Sequence, residues 1–522
     1  MKADRMRRYV DLHSWLGMVA GLALFVAFFA GALNMFHEEI HHWQTPRTEL
    51  ANAGTVQGLL QQVTASSEDA RQRIYLLPGA DPGAMWFQSG QDGAPGEWVT
   101  AYSSDFNAAG ERGDRPHSGL ADFVNQLHYQ LAIPTVGLTL MGIISILYGA
   151  ALFTGLVIHW PKLRREFFAL RHQGNVRRYW KNLHNLIGVL CFPFHLIMSV
   201  TGAAMGAFTL IALVMGALVF GPQLQGVIDK ETQVWPAPTL TGEPTEMAPV
   251  QRYLDRARQA HPDLTVDWIE VRGYGDQAAW VDVAASIPGV VGHHIHVLMD
   301  ARAQLIRVIE PGHRSFNYDT LSPMYALHFG DYGGSLVQWL YFAMGLLGAL
   351  LFVSGNILWC ERRTDRNGPS RSSVFLLRLT LGVCFGVVIG LAGSFLASKL
   401  LPYTPWGAEI AVLEKGVFLA LLLVLVVAGL RSVPLRFSRW MLTLAPLAYL
   451  AVPLLQLVLE GRYAWVVPDN LTVNVMLLLV ALSLWVVRAL LIARLRRAEP
   501  HPLWQEGPLP RSDQAVQTVT VK

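Results

Sequence analysis

Charge is scarce in this chain. Of its 522 residues only 15% are Asp, Glu, Lys or Arg, against about 25% in soluble domains. With 52% apolar residues, gathered in long blocks, this excludes an ordinary soluble enzyme and marks an integral membrane protein. Cysteine is nearly missing as well. Cys191, Cys360 and Cys384 are scattered, two of them inside apolar blocks, and no C-x-x-C pair occurs. A zinc knuckle or an iron–sulfur cluster therefore has no ligand set. No strand-like run leads into G-x-G-x-x-G, so no flavin or nicotinamide signature is present. The formal net charge of +3 carries little information, and no nucleic-acid partner is expected.

Eight apolar segments are long enough for a bilayer core, which takes about 20 helical residues: 15–36, 134–159, 185–220, 335–359, 374–400, 409–430, 440–459 and 470–491. Segment 185–220 is over-long and is read as continuing past the membrane surface. The basic run Lys2, Arg5, Arg7 and Arg8 precedes a first segment too long for a signal peptide, so that segment is read as an uncleaved helix. Positive charge orients the bundle. Lys162, Arg164, Arg165, Arg171, Arg177, Arg178 and Lys181 follow the second helix. Arg362, Arg363, Arg366 and Arg371 follow the fourth, Arg431, Arg436 and Arg439 the sixth, and Arg488, Arg494, Arg496 and Arg497 the last. These connections and both termini are assigned to the cytoplasm.

The expected order is a first helix over 1–40, an outer domain over 41–125, a second helix over 126–160 and a basic loop over 161–183. A third helix over 184–224, a second outer domain over 225–330, a fourth helix over 331–362 and a linker over 363–373 follow. A four-helix region over 374–491 and a cytoplasmic tail over 492–522 complete it. Each outer domain reads as a helix followed by strands. Val56, Leu59, Leu60 and Val63 form one helical stripe, ahead of strands at Ile74-Tyr75-Leu76, Met85-Trp86-Phe87 and Trp98-Val99-Thr100. Val250, Leu254 and Ala257 form the other, ahead of Trp280–Val283, His296-Val297-Leu298 and a turn near Asp300. The last four helices lack histidine and lack mid-depth charge, so no ion relay is expected there.

Histidine carries the strongest signal. Leu12-His13-x-x-Leu16-Gly17 … Ala30-Gly31-Ala32 recurs as Leu183-His184-x-x-Ile187-Gly188 … Thr201-Gly202-Ala203, with eighteen residues from His to Gly in both. Leu127-His128 … Thr154-Gly155 recurs as Leu327-His328 … Ser354-Gly355, with twenty-seven residues in both. A duplicated helix pair with matched histidines suits a bundle that clamps haem between imidazoles. With no C-x-x-C-H, such haem would be non-covalent and b-type. His13 and His184 share one level and are expected to share one iron, with His159 in reserve. His128 and His328 match at the other level. His195 lies eleven residues beyond His184, about 16 Å along a straight helix, and is read as a further ligand or an intervening group. One helix from His128 to His159 would span about 46 Å, so Pro134 is expected to break it, as Gly330 with Gly333-Gly334 would in the other half. Gly17, Gly21, Gly31, Gly155, Gly188, Gly202 and Gly355 would admit a flat macrocycle. Arg8, Arg178 and Lys181 suit haem carboxylates, although topology explains them equally. His37 reads as interfacial. His293, His294 and His296 cluster in the second outer domain; on a strand His294 and His296 would share a face and are marked as substrate or metal contacts.

At these residues the chain resembles the PepSY-associated transmembrane family. The resemblance rests on Leu12-His13-x-x-Leu16-Gly17, Leu127-His128, Trp180-x-x-Leu183-His184-Asn185-x-x-Gly188 and Leu327-His328-Phe329-Gly330-Asp331-x-Gly333-Gly334, and covers about residues 1–365. It implies a bacterial inner-membrane protein with a four-helix haem unit and periplasmic PepSY-like domains, of the iron-regulated, ferric-siderophore reductase kind. It also implies His13, His184, His128 and His328 as haem ligands, with His195 a further one. The expectation is thus an α-helical membrane protein of about eight spans with two periplasmic α+β domains and two b haems. It would pass electrons from a cytoplasmic reductase or quinol to a ferric chelate. The alternatives are a haem-free sensor or inhibitor that binds a protein or peptide, and a transporter of the chelate or its iron.

Overall fold

The computed structural model describes residues 3–44, 54–79, 81–90, 96–106, 118–160, 176–232, 234–287, 290–292, 294–365, 368–496 and 501–505. In chain order, helices α1 (Ala3–Asn34) and α2 (His37–Gln44) come first. Helices α3 (Val56–Ser66) and α4 (Glu68–Gln72) lead into strands β1 (Arg73–Leu77), β2 (Gly83–Gln88) and β3 (Glu97–Tyr102). Helices α5 (Leu120–Gln130), α6 (Gly137–His159), α7 (Val176–Leu190), α8 (Phe192–Met215), α9 (Leu224–Thr232) and α10 (Val250–Ala260) follow. Strands β4 (Thr265–Arg272), β5 (Trp280–Ser286), β6 (Ile295–Asp300) and β7 (Leu305–Ile309) precede α11 (Phe316–Phe329) and α12 (Gly334–Arg362). The chain then runs through α13 (Arg371–Leu400), α14 (Ile410–Arg431), α15 (Pro434–Glu460), α16 (Tyr463–Val466) and α17 (Pro468–Leu495).

Two compact units result: a helical one from residues 1–48, 116–211 and 333–522, and a sheet-bearing one from 49–115 and 212–332. Among the described residues seven helices are long and apolar enough to cross a membrane, and α7 with α8 makes an eighth if the bent pair is one span. The pair bends by 70° at Cys191, because Pro193 has no N–H to continue the ladder and fits only the first turn of a new helix. Two expectations for this segment change. It is not one over-long helix, and the straight-helix spacing of His184 and His195 does not apply.

Breaks fall where proline and glycine put them. Helix α5 stops at Gln130 and α6 starts at Gly137, with Pro134 between them. Gly330 ends α11 in the left-handed region at φ 72°. The α5–α6 link is strained. Leu131, Ala132 and Thr135 all have positive φ, at 55°, 53° and 69°, which costs an L-residue about 1–2 kcal/mol each.

In the sheet unit, Thr55 caps α3 by accepting from Gly58 N at 3.0 Å, and Ser67 caps α4 by accepting from Ala70 N at 3.2 Å. Alternation puts Ile74, Leu76, Val283 and Val297 on the face against α3 and α10, where they are fully buried. Each such burial stabilises by about 1.5–3 kcal/mol. Two separate outer domains were expected, but the strands of both connections join one sheet, in the order β3-β2-β1-β4-β5-β6-β7. The joint is the antiparallel pairing of β1 with β4, Ile74 opposite Val271. An edge strand leaves a row of open donors and acceptors, and pairing the two first strands closes both edges. Strands β4 and β7 lacked clear alternation in sequence.

The 374–491 region of the helical unit buries charged side chains. Arg378, Lys399 and Glu414 are fully buried, and Glu460 is 5% exposed. They sit near helix ends, where sequence makes them look like ordinary boundary residues. The basic loop over 161–175, His293 and the tail beyond 505 lie outside the described residues, as does the side chain of Arg178.

Candidate functional site

Three of the four repeated histidines rest on the same kind of seat. His13 of α1 lies against Gly155 of α6, its Nδ1 2.9 Å from the carbonyl of Ala151. His184 of α7 lies against Gly355 of α12, its Nδ1 3.1 Å from the carbonyl of Leu351. His128 of α5 lies against Gly31 of α1, its Nδ1 2.8 Å from the carbonyl of Ala27. In each case the carbonyl belongs to the residue four positions before the glycine. Hydroxyls flank two of the rings: Thr154 Oγ1 is 3.4 Å from His13 Nδ1, and Ser354 Oγ is 3.2 Å from His184 Nδ1. A helical carbonyl has a second lone pair to offer, and the missing Cβ brings the ring within reach. Nδ1–H thus donates to backbone and fixes the tautomer, which for His13 and His184 leaves the Nε2 lone pair for a metal. The sequence repeat joined His13 with Gly31 and His128 with Gly155. The structure exchanges them, so each glycine seats the other pattern's histidine.

His13 and His184 come together with ring centroids 6.3 Å apart. An imidazole nitrogen binds a metal at about 2.0–2.1 Å, and each ring centroid lies about one ångström behind its nitrogen. The two rings, edge-on at an interplanar angle of 72°, are thus close enough for one metal ion to be within reach of both. Both line a cavity of about 860 Å³, within the range of about 300–1,000 Å³ usual for cofactors. Its walls are largely apolar, among them Leu24, Leu152, Leu156, Val189 and Phe352, and His159, Lys181, Asn185 and Arg362 add polar groups. Among the described residues no group of three or more His, Cys, Asp or Glu could hold a bare metal ion. Two imidazoles alone suit a metal whose remaining positions a macrocycle fills.

His195 is fully buried in α8, with neither ring nitrogen hydrogen-bonded among the described residues. Phe28, Phe194 and Tyr148 surround it at 5.8, 5.7 and 6.1 Å between ring centroids. The Tyr148 hydroxyl also has no partner among the described residues, and Tyr148 lines the cavity. Sequence singled out His195 but not its aromatic cage, because Phe28 and Tyr148 are ordinary in an apolar helix.

The remaining expected site residues lie in the sheet unit. His328 occupies the last turn of α11, its ring 5.7 Å from that of Phe329. His296 Nδ1 donates to Asp282 Oδ2 at 2.8 Å, and both residues are fully or almost fully buried. His294 Nε2 lies 3.5 Å from Asp267 Oδ2, and the His294 and His296 rings are 6.3 Å apart. His296 is thus an interior Asp–His couple, not part of a solvated strand. Burial pushes the Asp267 carboxyl up to about 6. A raised carboxyl binds its proton more tightly in the folded state, so its effect favours folding at low pH and fades as pH rises from about 4 to 6. Asp267→Asn should flatten the pH dependence of unfolding in that window, as read by chemical denaturation at successive pH values.

The PepSY-associated transmembrane region model matches residues 10–362, which include every histidine described above. The uncharacterized protein PA4219 of Pseudomonas aeruginosa is 26% identical over 372 residues, a match covering 67% of this chain and 90% of that protein. The family match ends with α12, and the helices from α13 onward lie outside it. The chain belongs to the PepSY-associated transmembrane family.

Proposed function

We propose that this protein is a b-type dihaem reductase of the bacterial inner membrane, carrying electrons across it to a ferric chelate such as a ferric siderophore. The observation that carries the reading is the His13–His184 pair, spaced for a shared metal at 6.3 Å inside a largely apolar cavity. Haem, when bound, supplies one-electron redox chemistry. His13 and His184 would hold it, each kept in the ligating tautomer by its backbone seat. Leu24, Leu152, Leu156 and Val189 give the cavity a largely apolar wall, and an apolar shell tunes the potential of a metal it surrounds. Lys181 and Arg362 line the same cavity, where they can meet anionic groups. By the sequence repeat His128 and His328 are assigned to the second haem, with His195 a further ligand or an intervening group.

In this reading the first four spans are a duplicated helix pair. The basic connections place both termini in the cytoplasm and the sheet unit in the periplasm. The donor is a cytoplasmic reductase or quinol. The chelate docks at the sheet unit, where part-exposed His294 lies; His296 is interior. Reduction to Fe(II) weakens binding by hard oxygen ligands and frees the iron.

Reconstituted vesicles test this activity. With reductant inside and a ferric chelate plus a ferrous trap outside, the protein should produce trapped Fe(II). His13→Ala/His184→Ala protein should fall to the rate of empty vesicles. Equal rates for wild type and that variant would reject the reading.

A further inference from the structure

Helices α13 to α17 lie beyond the family match, and no role has been assigned to them so far. Besides α1 and α12, they touch two short helices, α2 and α5. Helix α5 begins at Gly119, which has no side chain with which to cap it. The first turn of a helix leaves its N–H groups without intrahelical partners, and here distant residues meet them. The buried Glu414 carboxylate of α14 accepts from Gly119 N at 3.2 Å and from the Ser118 hydroxyl. Gln44 of α2 accepts from Ala121 N at 3.0 Å and donates to the Ser118 carbonyl at 2.7 Å. An anion at a helix N-terminus is favourable, and Phe418 of α14 adds a ring contact to Phe123 at 5.1 Å.

Helix α2 is itself pinned. Lys399 of α13 donates to the Trp43 carbonyl and pairs with Glu460 of α15 at 2.7 Å. The Trp43 indole donates to Gln456 at 2.8 Å, and Gln456 donates to Glu460 at 2.8 Å. At its other end α5 runs into Leu131, Ala132 and Thr135, all in the left-handed region. Strain of that kind persists only where surrounding structure over-determines it.

We propose that the C-terminal helices are a clamp on α5, with Glu414 and Gln44 the positioning residues that keep His128 on its Gly31 seat. Glu414 and Gln44 hold the start of α5, and eight to nine residues of rigid helix carry that constraint to His128. The consequence for haem rests on the reading proposed above; the consequence for α5 does not.

Two readouts separate them. In Glu414→Ala, hydrogen exchange of the α5 amides should accelerate at least tenfold while that of α1 and α12 stays as in wild type. Glu414→Gln, which keeps an acceptor, should lie between. In a redox titration Glu414→Ala should displace or remove the component that His128→Ala removes and spare the one that His184→Ala removes. If Glu414→Ala does not fold, Lys399→Met/Glu460→Met replaces the buried pair by apolar groups and should speed α5 exchange in the same way. Unchanged α5 exchange would overturn the clamp, and so would equal disturbance of both components. Should wild-type protein carry no haem, the haem reading fails and the exchange result alone judges the clamp.

Discussion

His184→Ala should strip the protein of one of the two proposed haems and leave the other at its wild-type potential. Removing a group that only supports a metal ligand costs about 10–100-fold in affinity, and losing an axial imidazole should exceed that. His13→Ala should delete the same component, since the two rings face one cavity at 6.3 Å. His128→Ala should delete the other component. The measurement is a redox titration of the reduced-minus-oxidised spectrum for each variant. Loss of different components in His13→Ala and His184→Ala would dissolve the pair.

Gly31→Val should be nearly as damaging, although it touches no ligand atom directly. A Cβ at residue 31 would stand 2.5 Å from His128 Nδ1, closer than any real contact. The ring must leave the Ala27 carbonyl, losing a hydrogen bond worth about 1 kcal/mol, and overpacking adds about 1–3 kcal/mol. The second haem should be lost or its potential moved, with the first retained. Gly155→Ala and Gly355→Ala should be milder, because the added methyl meets His13 and His184 at 3.2 Å. Gly416→Ala should be silent, since nothing lies within 4 Å of its added Cβ. Haem content across this series checks the grading, and a damaging Gly416→Ala beside a harmless Gly31→Val would contradict the seats.

The histidine repeats were legible because equal spacing on equal helices leaves a direct mark in sequence. The pairing of His13 with His184 followed from shared depth. The seats were not legible. Gly17 and Gly31 look alike in an apolar run, and only the packing of α1 against α5 and α6 separates a seat from open space. The spans were legible from hydropathy alone, yet the bend at Cys191 was missed because Pro193 reads as a tolerated membrane proline. The shared sheet was missed because each connection shows its own helix and strands, and alternation does not reveal which edge pairs with which. Glu414, Lys399 and Glu460 looked like boundary residues, because burial at a helix end depends on what packs over it.

The central claim is that this chain holds two haems, and the haem-to-protein ratio of the full-length protein, purified from cells supplied with iron and porphyrin precursor, tests it most directly. The account predicts a ratio near two, all of it extractable by acid solvent as non-covalent haem should be. Colourless protein that stays folded and in the membrane fraction would contradict it.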